Sequence, residues 1–195
     1  MLNKWIKFLV VPAAALALSA CGINSVPTAE ENAKAKWADV ESSYQRRADL
    51  IPNLVETVKG YATQEQDTLT KVTEARAKAT SIQVNPGDLN NAAAMQNYMM
   101  AQDGLSQALS GMRVIVEKYP DLKSNQNFLA LQSQLEGTEN RINVARRDYN
   151  EAVREYNTTI RTFPDIIGAK IIHGAKPMTP FQATEGADKA PEVKF

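Results

Sequence analysis

Apolar residues recur along this chain in alternating steps of three and four. The longest run is Phe128, Leu131, Leu135, Thr138, Ile142, Ala145, Tyr149, Ala152, Tyr156, Thr159/Ile160 and Phe163. Such steps hold one apolar stripe on a helix, here for about five heptads, or roughly 55 Å. Asn125 stands where a cap is needed and Pro164 ends the run. A second seam reads Ala94, Tyr98, Ala101, Leu105, Ala108, Met112, Ile115, Tyr119, between the turn Asn85-Pro86-Gly87-Asp88, whose Asp caps the helix, and Pro120. A third reads Trp37, Val40, Tyr44, Arg47, Ile51, Leu54, Val58, Tyr61, opened by the capping box Thr28 to Glu31 after Pro27. Pro52 falls inside it without a change of phase, which predicts a kinked helix that has lost the amide bond to the Ala48 carbonyl. Gly60 and the Thr63-x-x-Gln66 box mark a stop and restart. A shorter helix then runs to about Ser81, with Leu69, Val72, Ala75 and Ala79 inward.

The spacing therefore predicts helices over 28–60, 63–82, 88–119 and 125–163. No stretch alternates with period two. The fold class that follows is all-α: an antiparallel up-and-down four-helix bundle with long helices and an extended C-terminal tail over 164–195. Ile166, Ile167, Ile171 and Ile172 are placed to pack on one end of the bundle, and Phe181, Val193 and Phe195 to pin the polar tail.

The N-terminus follows another pattern. A short basic leader with Lys4 and Lys7 precedes the apolar run Phe8 to Leu18, which at 11 residues is too short to span a bilayer. Pro12 lies within it. Leu18-Ser19-Ala20-Cys21 then resembles the lipobox of bacterial lipoproteins, and Cys21 is the only cysteine in the chain. Residues 1–20 thus read as a lipoprotein signal peptide, Cys21 as the lipidation site and 21–27 as a linker to the bundle over 28–163. Gly22 and Ile23 follow the Cys, with no Asp at the second position. In a host with two membranes this implies the outer membrane, facing the periplasm; in a host with one, its outer face.

Composition narrows the chemistry. The chain has 195 residues, enough for one core, with 22 Lys+Arg against 22 Asp+Glu. That balance does not fit a nucleic-acid binder held by phosphate contacts. One Cys and one His make neither a disulfide framework nor a zinc site, so no metal and no cofactor is expected. There is no Glu-x-x-His of the di-iron kind and no glycine-rich phosphate loop. His173, with no thiol nearby, makes no triad.

Arg47 falls on the seam of the first long helix, and in an antiparallel pair its level meets Glu139 to Asn143 of the last helix. We expect a buried polar pair of Arg47 with Glu139, or with Glu136, that fixes helix register; a carboxylate-binding role for Arg46 and Arg47, or Arg47 extending outward, are the rivals. Glu74 with Arg76 reads as another internal pair. Asn150 and Asn157, each after a seam tyrosine and one heptad apart, read as cross-helix donors.

These same segments carry a resemblance. Tyr44 to Tyr61 (YQRRADLIPNLVETVKGY) is similar to the signature block of the LemA family. So are Thr73 to Ala79 (TEARAKA), Tyr119 to Lys123 (YPDLK), Leu131 to Ile142 (LQSQLEGTENRI), Tyr149-Asn150, Tyr156-Asn157 and Phe163-Pro164. The resemblance covers residues 30–172 in order. It implies a membrane-attached bacterial protein with an antiparallel helical bundle facing out of the cytoplasm, and no agreed reaction. Where many members resemble a transmembrane-helix design, this chain carries a lipobox.

Three functional readings follow. The first is a non-enzymatic, lipid-anchored scaffold or interaction protein of the cell envelope, attached to the membrane through its lipid and docking an envelope protein by its bundle surface or tail. The second is an envelope small-ligand-binding protein or hydrolase with a site between the helices. The third is a rod that oligomerises through Met99, Met100 and Val114.

Overall fold

The computed structural model describes residues 4–182, with side chains from 24 onward. It is all-helical among those residues: α1 Lys4–Lys59, α2 Gln66–Ser81, α3 Ala92–Lys118, α4 Pro120–Lys123, α5 Gln126–Thr159 and α6 Asp165–Gly168, continued by a π-helical turn Ala169–His173. The four long helices run up, down, up and down. The Cys21 side chain, Val193 and Phe195 lie outside the described residues.

Several boundaries differ from those the spacing predicts. The helix expected from 28 is continuous from Lys4, so Thr28 to Glu31 does not open it and residues 21–27 form no non-helical linker. The cause is visible in the seam, which steps back from Trp37 through Ala33 and Ala29 to the fully buried Val26. At the start of α3 the turn after Asn85 makes a short 3-10 segment, and the cap is Asn91, accepting from the Ala94 amide, in place of Asp88. Asn125 caps α5, accepting from the Phe128 amide at 3.0 Å. That helix ends at Thr159, and Phe163, expected on the seam, is 70% exposed. Tyr61 also leaves its seam: Ala62 takes the inward position, and the Tyr61 hydroxyl accepts from Asn125 Nδ2 at 2.7 Å.

The core forms two clusters stacked along the bundle axis. The distal one, near the α1–α2 turn, gathers Ile51, Leu54, Val58, Leu69, Val72, Leu105, Met112, Ile115, Leu122 and Phe128. The proximal one, toward the N-terminal end of α1, gathers Trp37, Tyr44, Tyr98, Ile142, Tyr149, Tyr156, Met178 and Phe181. Full burial of a large apolar side chain contributes about 1.5–3 kcal/mol, so these clusters carry the stability of the bundle.

α2 is far shorter than its neighbours and packs only in the distal half. Its place in the proximal half is taken by two extended stretches: the α2–α3 connection, with Val84 and Leu89 buried, and the segment before residue 182, with Met178 and Phe181 buried. The Trp37 indole donates to the Val84 carbonyl at 3.1 Å, and the Thr179 amide to the Leu89 carbonyl at 2.8 Å. The proximal half is therefore three helices closed by two strands of irregular chain.

Candidate functional site

Arg47 lies at the boundary between the clusters, 1% exposed. One end of its guanidinium, Nη1, donates to Glu139 Oε1 at 3.0 Å and to Ser106 Oγ at 2.8 Å. The other, Nη2, donates to the side-chain oxygen of Gln102 at 2.8 Å and to its carbonyl at 3.1 Å. Tyr44 supplies a ring face 4.9 Å from the guanidinium carbon. Gln102 passes the network on, donating to the Ala79 carbonyl at the end of α2 at 3.2 Å. One polar layer thus joins α1, α2, α3 and α5. Arg47 Nε is buried with no partner, so the layer is nearly but not wholly satisfied. Arg46 is exposed, and Glu136 accepts from Gln132 on its own helix.

A burial gradient runs across the pair. The Glu139 side chain is 40% exposed, whereas the arginine has no solvent. The hydrogen bonds of the guanidinium all go to the protein's own groups. Joining four helices at one level, the layer can fix helix register.

Arg76 does not pair with Glu74. Its Nε donates 2.7 Å to the Ala48 carbonyl. That carbonyl is the one Pro52 leaves without an amide donor in α1. A side chain from α2 therefore replaces the missing backbone bond, and the orphaned acceptor becomes an interhelical contact.

Asn150 and Asn157 also bond differently from the cross-helix role their spacing predicts. Asn157 Nδ2 donates to the Met178 carbonyl and its Oδ1 accepts from the Met178 amide, both at 2.9 Å. Asn150 treats Phe181 the same way, at 3.0 and 2.7 Å. Each amide thus satisfies both main-chain groups of one residue, as a neighbouring strand would. The match has a simple metric origin. Seven helical residues rise about 10.5 Å, and three extended residues cover about 10 Å. The Tyr149 hydroxyl donates to the Thr179 carbonyl at 3.0 Å between the two. Phe181 stacks on Trp37 at 5.9 Å between ring centroids, meets Tyr149 edge-on at 5.6 Å, and carries the Arg146 guanidinium 4.9 Å above its outer face.

Two open depressions flank this docked segment. One, about 490 Å³, is lined by Asn150, Arg154, Asn157, Arg161, Thr162 and Pro180. The other, about 230 Å³, is lined by Glu30, Leu89, Tyr156, His173 and Met178. Neither contains Arg47 or Glu139. Among the described residues, no group of three or more His, Cys, Asp or Glu side chains is arranged to hold a metal ion, and no helix is long and apolar enough to cross a membrane. Burial pushes the Tyr98 and Tyr149 hydroxyls well above their ordinary range, which makes them core groups and poor acid–base catalysts.

Sequence reasoning places Arg47 and Glu139 at one level, and the fold brings them together. It misses Gln102 and Ser106, because Gln102 stands one position off the α3 seam and Ser106 carries no charge. It also misses what Asn150 and Asn157 hold, although their heptad spacing beside seam tyrosines was the available clue.

Several known proteins have sequences similar to this chain. Over 148 residues the chain is 27% identical to magnetosome protein MamQ 2 of Paramagnetospirillum magneticum, covering 66% of this chain and 53% of that protein. Over 145 residues it is 26% identical to magnetosome protein MamQ of Magnetospirillum gryphiswaldense, covering 65% and 53%. Over 111 residues it is 27% identical to protein LemA of Metamycoplasma hominis, covering 57% and 47%. The chain thus spans about half the length of the curated relatives it matches. Residues 36–195, which include the arginine layer and the docked segment, match the family model for LemA, and the chain belongs to the LemA family.

Proposed function

We propose that this LemA-family protein is a lipid-anchored, non-catalytic interaction module of the cell envelope, and that it docks a protein partner. The observation that carries the reading is the pair Asn150 and Asn157. Two side-chain amides at matched spacing bind main-chain groups of the chain's own extended segment 178–181, and the same contacts suit a partner's extended peptide, whatever its side chains, once that segment is displaced. The aromatic floor beneath Phe181 adds side-chain selectivity. Attachment through Cys21 rests on the lipobox and on an apolar run too short to span a bilayer. The names of the relatives state an association with the magnetosome or the family and no reaction. The rival reading, a ligand site between the helices, meets a core closed at Arg47 by the protein's own acceptors.

The test is crosslinking and affinity capture from membranes, comparing the wild-type chain with the Asn150→Ala/Asn157→Ala double variant. We expect a reproducible protein partner whose capture changes when the asparagines are lost. A co-purifying small molecule, with no partner sensitive to the variant, would overturn the reading. For the anchor, Cys21→Ser should abolish incorporation of labelled palmitate and cleavage before residue 21. Unchanged labelling would refute lipidation there.

A further inference from the structure

The proximal end of the bundle carries an apolar patch that no part of the described chain covers. Phe163 is 70% exposed, Ile167 51%, Ile171 79% and Ile172 59%. Ile167 and Ile171, four residues apart, project one above the other from α6 and the π-helical turn, whereas Gly168 and Ala169 face inward. The sequence predicts Ile166, Ile167, Ile171 and Ile172 to pack on the bundle; Ile166 is half-buried, whereas Ala169 makes the inward contact and Ile167, Ile171 and Ile172 turn out. Isolated apolar residues on a surface are ordinary, but four large ones within ten residues are not.

The position of the patch selects its partner. Ser25 of α1 donates to Asp165 at the start of α6, so the patch stands beside Ser25. Ser25 is one helical turn from Cys21, about 6 Å along the axis. A lipid chain on Cys21 brings this end of the bundle to the level of the phospholipid headgroups. The charges agree with that surface. Between residues 161 and 176 the Lys and Arg residues are Arg161, Lys170 and Lys176, all exposed, as is His173, and the one carboxylate, Asp165, is held by Ser25. Apolar side chains flanked by lysine and arginine form an interfacial amphipathic surface.

We infer that Phe163, Ile167, Ile171 and Ile172 form a membrane-seated foot that inserts into the headgroup layer of an anionic phospholipid bilayer and holds the bundle upright on its anchor. This rests on the lipoprotein reading of Cys21, and the experiment separates the two.

Ile171→Cys and, as a control on the bundle surface, Val114→Cys are introduced singly into the full chain. Val114 is 60% exposed, and both sites tolerate a small side chain. A lipidated Cys21 is a thioether and takes no thiol label, so each variant has one free thiol. The proteins are spin-labelled, reconstituted in vesicles of phosphatidylethanolamine and phosphatidylglycerol, and probed for contact with oxygen and with a water-soluble nickel chelate. We expect the oxygen-to-nickel contact ratio of the label at Ile171→Cys to rise several-fold above that at Val114→Cys. Equal ratios at the two positions would overturn the foot. Exclusion of both reagents at Ile171→Cys would also overturn it, because that is the signature of a covering protein. Labelling of the wild-type chain would instead show Cys21 unmodified, which is the separate failure of the anchor.

Discussion

At the scale of single residues, the Arg47 layer is asymmetric, and its asymmetry predicts unequal costs. Removing one partner of a buried ion pair costs about 3–5 kcal/mol when the charge left behind has no solvent. Glu139→Ala strands a guanidinium that is 1% exposed, although Gln102 and Ser106 still bind it, so a cost near the lower limit, about 3 kcal/mol, is expected. Arg47→Met strands a carboxylate that is already 40% exposed and can hydrate, together with a buried glutamine oxygen, at a cost of about 1–2 kcal/mol. Urea denaturation of both variants checks the order. An Arg47→Met cost larger than that of Glu139→Ala would mean that packing of the arginine stem, not charge, dominates the site.

At the scale of elements, the helices lean on side chains where their own backbones fail. Arg76 satisfies the carbonyl that Pro52 orphans. Arg76→Met should therefore cost about 1–2 kcal/mol, and less in a Pro52→Ala background, where a backbone amide returns to Ala48. A double-mutant cycle with no coupling would dismiss the compensation. The docked segment depends in the same way on α5. Asn150→Ala/Asn157→Ala should raise hydrogen exchange at the Met178 and Phe181 amides while leaving the distal core protected, and Phe181→Ala should destabilise by about 3–5 kcal/mol. These elements also show what a sequence reveals. The seams of α1, α3 and α5 are legible because each buries a stripe against partners of similar form, and period alone reports that. The boundaries at Val26 and Phe163 are less so, since a capping box or a proline marks where a helix is able to start or stop, not where it does. The docking of residues 178–181 is not legible from period at all. It depends on the equality of seven helical rises and three extended ones, on elements that the sequence alone does not place side by side. The Arg76 contact is hidden for a related reason: a carbonyl that has lost its donor is predictable from Pro52, but the helix that supplies the replacement is set by the bundle.

At the scale of the molecule, the proximal core sets the alkaline limit of stability. Burial raises the folded-state values of Tyr98 and Tyr149, and to a lesser degree Tyr44 and Tyr156, above the ordinary 10.0. A raised folded value means that the unfolded chain loses its phenolic protons first. The stabilisation is complete below about pH 10 and is lost as pH rises from there through the higher folded values. Thermal melts should accordingly be insensitive to these groups near neutrality and fall steeply above pH 10. The tyrosinate absorbance of the buried rings should appear together with unfolding, not before it; early ionisation of all six tyrosines would contradict the packing.

The short α2 has a further consequence, for the order in which the molecule is made. An exported chain emerges from its translocation channel N-terminus first. The fully buried members of the distal core all lie at or before Phe128, and Leu131 and Leu135, which pack against it, follow within seven residues. The proximal core begins earlier, at Val26, yet needs Met178 and Phe181. Some 50 residues separate Phe128 from Met178, so the final segment emerges well after the distal half is able to close. During that interval Trp37 and Tyr149 lack Phe181, and the groove along α5 is empty. The end of the molecule that is synthesised first is thus the last to be finished, and a nascent chain interrupted before Met178 would present an open aromatic groove to whatever extended peptide is nearby.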